Sequence, residues 1–322
     1  MRDWKSRPSE FRRLWGYSVG FYGVWVGHVG RRLGLFEALS KKTMSANELA
    51  FATGCNKKAV EAWCSAAVSL GFIKSRNDRL IILPKMQEIL LDSSSPDYLG
   101  GQFSYIAGRS LEYSGLQDLF KSGKTRDMSS TFEAIEQATD WDHHAFLAEI
   151  KNTRLHRLLA GGCKLLDVGC GTGTMIEKLQ ARYPNSKYVG VEPSKTAADK
   201  ASLLSIPILR QDGESMSFED EFDIAYLGES LYAAADKKRV IANCFSALKK
   251  GGTIAIVEGL LPETDRGPES QLIMGMQMDF ALQGHSFMKR QEIKSLLSEA
   301  GFQKIKFKDL GGSLYLVIAI KE

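Results

Sequence analysis

Lys164-Leu165-Leu166-Asp167-Val168-Gly169-Cys170-Gly171-Thr172-Gly173 carries an apolar run into a carboxylate and then into three alternate glycines. The pattern predicts a strand that turns sharply into a helix while its backbone comes close to a ligand. A Cβ at those glycines would oppose positive φ or occlude the approach. An isolated glycine triplet describes an ordinary turn equally well, so the context decides. Lys187–Val191 reads as a second strand one helix later and runs into Glu192 and Pro193, about twenty residues beyond the glycines, where a carboxylate accepts ribose hydroxyls. The stretch is therefore a nucleotide-cofactor loop.

Two cofactor classes use this geometry. A dinucleotide loop spaces its glycines G-x-G-x-x-G and offers a helix N-terminus to a pyrophosphate. Here the spacing is G-x-G-x-G, and Asp167 stands two residues before the first glycine. A carboxylate at that point repels a pyrophosphate and suits a cation such as the ammonium group of an amino acid. Leu165 to Gly173 together with Glu192 resembles the first two signatures of the class I S-adenosylmethionine-dependent methyltransferases. The resemblance implies S-adenosyl-L-methionine as cofactor, surrounded by Asp167, Gly169, Cys170, Gly171, Gly173, Glu192, Pro193, Gln211, Asp212, Gly213 and Gly228. Within that set, Glu192 faces the ribose and the Gln211-Asp212-Gly213 turn faces the adenine.

The rest of the C-terminal half follows in order. Ile206 to Leu209 is a short apolar run, Phe222 to Leu227 a fourth strand, and Lys237 to Leu248 a helix that Lys249-Lys250-Gly251-Gly252 is expected to stop. Thr253 to Val257 is a fifth strand, Glu292 to Ala300 an amphipathic helix ended by Gly301, and Lys304 to Lys308 with Ser313 to Ile320 a hairpin. Alternating strands and helices predict an α/β fold, a mostly parallel sheet covered on both faces. The resemblance implies the Rossmann-like seven-stranded methyltransferase sheet, with the hairpin supplying an antiparallel edge strand.

A chain of 322 residues has room for two domains. With 44% hydrophobic and 25% charged residues it is core-forming, which excludes a disordered chain. Its five cysteines lack a C-x-x-C pair and read as reduced thiols of a cytoplasmic protein, with no zinc or disulfide framework. Residues 1–110 hold 16 Lys and Arg against 9 Asp and Glu, leaving 26 against 29 for the remainder, so a basic module precedes a near-neutral one. A solvated basic face is the ordinary meaning of such an excess.

In the basic module Ser45 is an N-cap with Glu48 as its capping-box partner, opening a helix to Thr53. Lys57 to Leu70 forms a second helix with Val60, Trp63, Cys64, Ala67 and Val68 on one face, and a short hairpin turns at Ser75-Arg76-Asn77-Asp78. Helix, turn, helix and wing predict a winged-helix module. DNA binding is its first functional association, yet Lys57, Lys58, Glu61 and a run of alanines read base edges poorly. Leu33 to Leu39, the Ser45 segment and Gly71-Phe72-Ile73 resemble, in that order, the N-terminal domain of small-molecule O-methyltransferases. That resemblance implies a homodimer formed through the N-terminal domain and a small-molecule acceptor.

Residues 14–30 carry no formal charge and lie between Arg12-Arg13 and Arg31-Arg32. The span is at the short limit for crossing a bilayer and is diluted by five glycines, a serine and a histidine. Gly16, Gly20, Gly23, Gly27 and Gly30 recur every three or four residues, which predicts a smooth stripe on a buried dimer helix. Membrane-surface attachment is the alternative. The chain accordingly divides into a helical dimerisation domain at 1–110, bridging helices at 111–150 and a cofactor-binding domain at 151–322.

A sulfonium-bound methyl carbon is already activated, so the protein must align a nucleophile behind it and remove that nucleophile's proton; no metal is required. In the O-methyltransferases of plant type a histidine lies beyond the fifth strand, where this chain carries His285, while the loop Gly228-Glu229-Ser230-Leu231-Tyr232 offers none. His285, Glu229 and Tyr232 are therefore the catalytic candidates. His143 and His144 fall on a predicted bridging helix as reserves, and His28 and His156 read as structural. Met274, Met278 and Leu282 share a helical side that suits either a helix core or an apolar wall for a flat acceptor. Two other readings stay open: a DNA-binding regulator that uses a methyltransferase-like domain as a ligand sensor, and a nicotinamide oxidoreductase, which the glycine spacing opposes.

Overall fold

A computed structural model describes residues 4–95, 97–125, 132–263 and 267–322. The chain forms two compact units, Met1–Leu116 with Ser129–His144, and Gln117–Met128 with Ala145–Glu322. The stretch 111–150 contributes to both.

The first unit opens with the 24-residue helix α1 (Ser9–Arg32), followed by α2 (Leu35–Lys41), α3 (Ala46–Thr53) and α4 (Lys57–Ser69). Strands β1 (Lys74–Arg76) and β2 (Arg79–Ile81) pair antiparallel about Asn77 and Asp78, both at positive φ, the requirement of a two-residue hairpin turn of type I′. Helices α5 (Pro84–Leu91) and α6 (Gly100–Leu111) come next. The capping box expected at Ser45 is formed: Glu48 N–H donates to the Ser45 hydroxyl and Ser45 N–H to the Glu48 carboxylate at 2.7 Å. Phe36 and Trp63 meet edge to face at 5.2 Å inside a core that also holds Leu35, Leu39, Leu49, Val60 and Ile73.

The glycine stripe of α1 divides in two. A Cβ at Gly27 would strike Phe103 at 2.9 Å, and one at Gly30 would strike Phe36 and Trp63, so this end must be smooth to pack on its own core. At Gly16, Gly20 and Gly23 a Cβ would meet nothing within 4 Å, and Leu14, Trp15, Tyr17, Phe21 and Tyr22 around them are exposed. Among the described residues no helix is long and apolar enough to cross a membrane.

The second unit is built on a seven-stranded sheet. In chain order its strands are β3 (Lys164–Val168), β4 (Lys187–Val191), β5 (Ile208–Leu209), β6 (Phe222–Gly228), β7 (Leu248–Gly259), β8 (Gln303–Gly311) and β9 (Leu314–Ile320). Across the sheet the order is β5-β4-β3-β6-β7-β9-β8, the first five parallel and β9 antiparallel to both neighbours. The order reverses between β3 and β6, and ligands of open α/β sheets bind outside the carboxyl ends of the strands at such a switch point. The core beneath is aliphatic: Leu166, Ala225, Leu227, Ile254, Ile256 and Val317 are almost wholly buried.

Two sequence expectations are corrected. The helix Lys237–Ala247 ends just before Lys249-Lys250-Gly251-Gly252 as expected, but that cluster is not a loop: it lies inside β7, which begins when Leu248 pairs with Phe222. Gly251, at φ 77°, absorbs the irregularity there. The antiparallel strand is also not the edge. β9, four of whose seven residues are buried, is inserted between β7 and β8, and β8 with exposed Lys304, Lys306 and Lys308 takes the edge. Charged edges resist pairing with other chains, which explains why the more polar strand lies outermost.

Candidate active site

The glycine loop leaves the end of β3 and caps the helix Thr174–Arg182, with Gly173 in the left-handed conformation at the cap position. Gly169, Gly171 and Gly173 have φ of 80°, 56° and 85°. Gly169 and Cys170 both donate their N–H to the Val191 carbonyl, at 2.7 and 3.1 Å, which ties the loop to the end of β4. A Cβ at Gly171 would meet nothing within 4 Å, so the loop is open at its crest. Cys170 is buried with its thiol against Gly190, and burial pushes its ionisation up. It is a packing residue under the loop.

Two carboxylates flank the loop. Glu192 accepts from Gly171 N–H at 2.9 Å through Oε2 and from Ser194 N–H at 2.8 Å through Oε1. An ionised carboxylate has about four acceptor positions, so about two remain for a ligand. Asp167 is paired in register with Gly190 and Tyr226, and its Oδ2 is buried with no hydrogen-bond partner. Burial, reinforced by the Glu192 charge, pushes its ionisation up to about 8. Such a group gains most from a cation placed against it.

The remaining cofactor candidates occupy the neighbouring turns. Gln211 donates its N–H to the Leu209 carbonyl, and Asp212 accepts from Ser215 N–H at 2.8 Å, so its side chain closes its own turn. A Cβ at Gly213 would press on Val168 and Val240, and one at Gly228 would strike the Tyr226 hydroxyl at 2.5 Å. Pro193 is exposed beside Glu192. An orphaned acidic oxygen, an open glycine crest and a second carboxylate with spare acceptor capacity fit a cationic amino acid joined to a nucleoside.

The three catalytic candidates come together at the ends of β6 and β7. The Tyr232 ring stacks on Phe280 with centroids 4.7 Å apart and meets His285 edge-on at 5.8 Å. Phe287 packs on Phe280 at 4.4 Å, and a Cβ on Gly259 would come within 2.9 Å of Phe287 and 3.8 Å of the Glu229 carboxylate. Burial lowers the His285 ionisation, with a smaller push from Lys237, so the imidazole is neutral at neutral pH. Glu229 holds φ 50°, a strained value for a residue with a side chain, and burial raises its ionisation to about 7. The loop also touches the glycine turn, because the Ser230 hydroxyl donates to the Val168 carbonyl at 2.7 Å.

Other sequence candidates go elsewhere. Met274 and Met278 are exposed on the helix Pro268–Ala281, while Met276 packs with Phe280 and Leu282 is buried. The three do not form one wall: Met274 and Met278 face solvent, while Leu282 is buried just beyond the helix end. His28 approaches Ser104 at 3.4 Å, His156 bonds the Tyr183 hydroxyl at 2.9 Å, and His144 lies 3.9 Å from Asp140. Glu258, which no sequence motif marks, lies at the heart of the candidate site: it is fully buried and accepts from Leu231 N–H at 2.5 Å. Its signal was a single carboxylate closing the apolar run Ile254-Ala255-Ile256-Val257.

Residues 139–306 match the family described as a methyltransferase domain. The chain belongs to that family. It is an S-adenosylmethionine-dependent methyltransferase, with the class I sheet. This methyltransferase is 23% identical to the 3-hydroxy-5-methyl-1-naphthoate 3-O-methyltransferase of Streptomyces sahachiroi, over 85% of this chain and 84% of that one. It is 30% identical to the trans-aconitate 2-methyltransferase of Deinococcus radiodurans, over 29% of this chain and 36% of that enzyme's length. Human N-acetylserotonin methyltransferase, solved with S-adenosylmethionine, superposes with a TM-score of 0.76 at 19% identity, covering 98% of this chain and 99% of that one. The superposition extends the shared fold to the N-terminal unit.

Proposed function

We propose that the methyltransferase methylates a hydroxyl of a small, flat molecule. The observation that carries this reading is the contact between the two loops: the glycine turn and the Glu229–Tyr232 loop meet through Ser230 and Val168, with aromatic rings and a neutral imidazole just beyond. Asp167 takes the ammonium end of the cofactor, Glu192 the ribose and the Gln211–Gly213 turn the adenine. S-adenosylmethionine supplies a methyl carbon on a positively charged sulfur, so the protein's tasks are alignment and proton removal. Tyr232, half-buried and backed by the buried rings of Phe280 and Phe287, offers an aromatic surface that orients a flat acceptor. His285 and Glu229 are the groups placed to manage its hydroxyl proton.

Thermal unfolding with S-adenosylhomocysteine, S-adenosylmethionine and NAD in parallel tests the cofactor. A ligand at 100 times its dissociation constant stabilises the native state by about 2.7 kcal/mol. The two adenosyl-sulfur compounds are expected to raise Tm and NAD to leave it unchanged. Release of S-adenosylhomocysteine with naphthol-like and phenolic acceptors then tests the acceptor class, and methylation confined to nitrogen or carbon would refute it.

The N-terminal unit is assigned as a winged-helix dimerisation module. The exposed aromatic residues of α1 beside its open glycines support a second copy of the chain as the covering surface. Light scattering is expected to return twice the monomer mass, and Tyr22→Asp to shift it toward monomer. The exposed side of α4 offers Lys57 and Lys58, with Lys57 engaged by Glu61 at 3.8 Å, which does not favour the DNA-binding reading. Cytoplasmic placement is supported by five free cysteines, four of them buried.

A further inference from the structure

We propose that Glu229 and Glu258 hold one proton between them at neutral pH, carried by Glu258, and that Glu229 receives the proton of the acceptor's hydroxyl. The inference rests on the methyl-transfer reading above and assigns its base to a carboxylate pair in place of an imidazole.

The geometry is reciprocal. Strands β6 and β7 run side by side to the register Gly228–Val257, and one residue further each sends a carboxylate to the other's backbone. Glu229 N–H donates to the Val257 carbonyl at 2.8 Å, and Glu229 Oε1 accepts from Gly259 N–H at 2.6 Å. In return Glu258 Oε1 accepts from Leu231 N–H at 2.5 Å and Tyr232 N–H at 3.4 Å. Each acid is thus clasped through one oxygen by the neighbouring strand end. Glu258 Oε2 is left buried with no hydrogen-bond partner.

Two negative charges do not persist in that arrangement. A fully buried carboxylate with one bare oxygen is costly, and a second carboxylate beside it adds repulsion. Burial and the Glu229 charge drive Glu258 well above the usual carboxylate range, while burial alone brings Glu229 to about 7. Among the described residues, Tyr315, His285 and Asp167 bring no relief. Tyr315, in register with Glu258 on β9, is a phenol whose ionisation burial pushes further up. His285 is kept neutral by burial and Lys237, and Asp167, one strand beyond β6, is itself pushed up. The pair therefore titrates as a unit: one proton is retained and the other leaves near neutrality.

The step balances without a further reactant. The acceptor's O–H bond breaks, its proton passes to the Glu229 carboxylate, and the freed oxygen pair forms the new C–O bond while the pair of the broken C–S bond stays on sulfur. Glu229 then returns its proton to solvent. Glu258 touches neither reactant: it is a positioning residue that anchors Leu231 and Tyr232 and, being neutral, leaves Glu229 free to ionise.

Infrared difference spectroscopy of the full chain tests the proton directly, without turnover. At pH 7 the wild-type minus Glu258→Gln spectrum is expected to show the carbonyl stretch of a buried neutral acid, and titration of the wild type to show a second acid ionising near pH 7 that Glu229→Gln removes. A wild-type minus Glu258→Gln spectrum without that band overturns the proposal. Kinetics supply the second readout. Glu229→Gln is expected to lower kcat about 100-fold or more while leaving S-adenosylmethionine affinity intact. In Glu258→Gln the rising limb of the pH–rate profile should keep its position; a downward move would mean that Glu258 was charged, contrary to the proposal. A collapse in His285→Ala with Glu229→Gln at wild-type rate overturns the base assignment. Cofactor binding without methylation of any hydroxyl acceptor would instead sink the reading of the acceptor, while the spectra still decide where the proton resides.

Discussion

A Cβ on Gly169 would lie 2.5 Å from the Cβ of Ser230, so the cofactor turn and the loop that carries the acidic pair are packed to the limit of a missing methyl group. Gly169 also holds φ 80°, where a side chain is strained. Gly169→Ala is expected to destabilise the protein by about 2–4 kcal/mol, combining backbone strain with overpacking. Urea unfolding measures this. The variant should also lose S-adenosylhomocysteine binding, and wild-type affinity would show that the two loops move independently.

Glu192→Ala removes the carboxylate from the end of β4. Calorimetric titration with S-adenosylhomocysteine should lose on the order of 1.5–3 kcal/mol, the value of hydrogen bonds to a charged group. Stability should fall as well, because Gly171 N–H and Ser194 N–H lose their acceptor. Unchanged affinity would remove Glu192 from the cofactor site.

Asp167 yields a pH dependence whose sign is fixed by its environment. Its ionisation rises from 3.8 to about 8 on folding, so its favourable contribution is complete below pH 3.8 and is lost as pH climbs toward 8. Across that window the wild type should lose up to about 1.4 kcal/mol per pH step relative to Asp167→Asn. Denaturant curves of both proteins at several pH values check it. A bound ammonium group favours the ionised carboxylate, so cofactor binding should release a proton below pH 8 and tighten as pH rises. Asp167→Asn should abolish both effects and weaken binding.

His285→Ala deletes the imidazole that meets Tyr232 edge-on. Cofactor affinity should be unchanged while the KM for the acceptor rises several-fold. A wild-type KM and kcat would place the acceptor away from the Tyr232, Phe280 and Phe287 rings.

Much of the site was legible because its signals are local. The glycine turn, the strand before it and the carboxylate ending the next strand are written in consecutive residues, and the described chain brings Asp167, Gly169, Gly171 and Glu192 together. Glu258 escaped notice because a lone acid at the end of an apolar strand carries no motif. Its importance depends on which loop lies opposite, which is a property of strand order. The same reason explains β9: local pattern predicts a hairpin but not which of its two strands pairs with β7. Met274 and Met278 show the limit of periodicity, which identifies a helical face without saying whether that face looks inward. Lys249–Gly252 has the composition of a helix stop, yet pairing of Leu248 with Phe222 draws it into the sheet.

The insertion of β9 between β7 and β8 has a consequence for synthesis. Strand β7 is complete at Gly259, but the partner that covers its free side is Leu314–Ile320, made more than fifty residues later. During translation the apolar row Ile254-Ala255-Ile256-Val257 therefore waits on an open edge, with β8 unable to dock until β9 arrives. Such edges are where nascent chains pair wrongly. The last strand of this sheet to be made acts as its bolt, and a chain lacking Leu314–Ile320 is expected to aggregate, its β7 edge left unpaired.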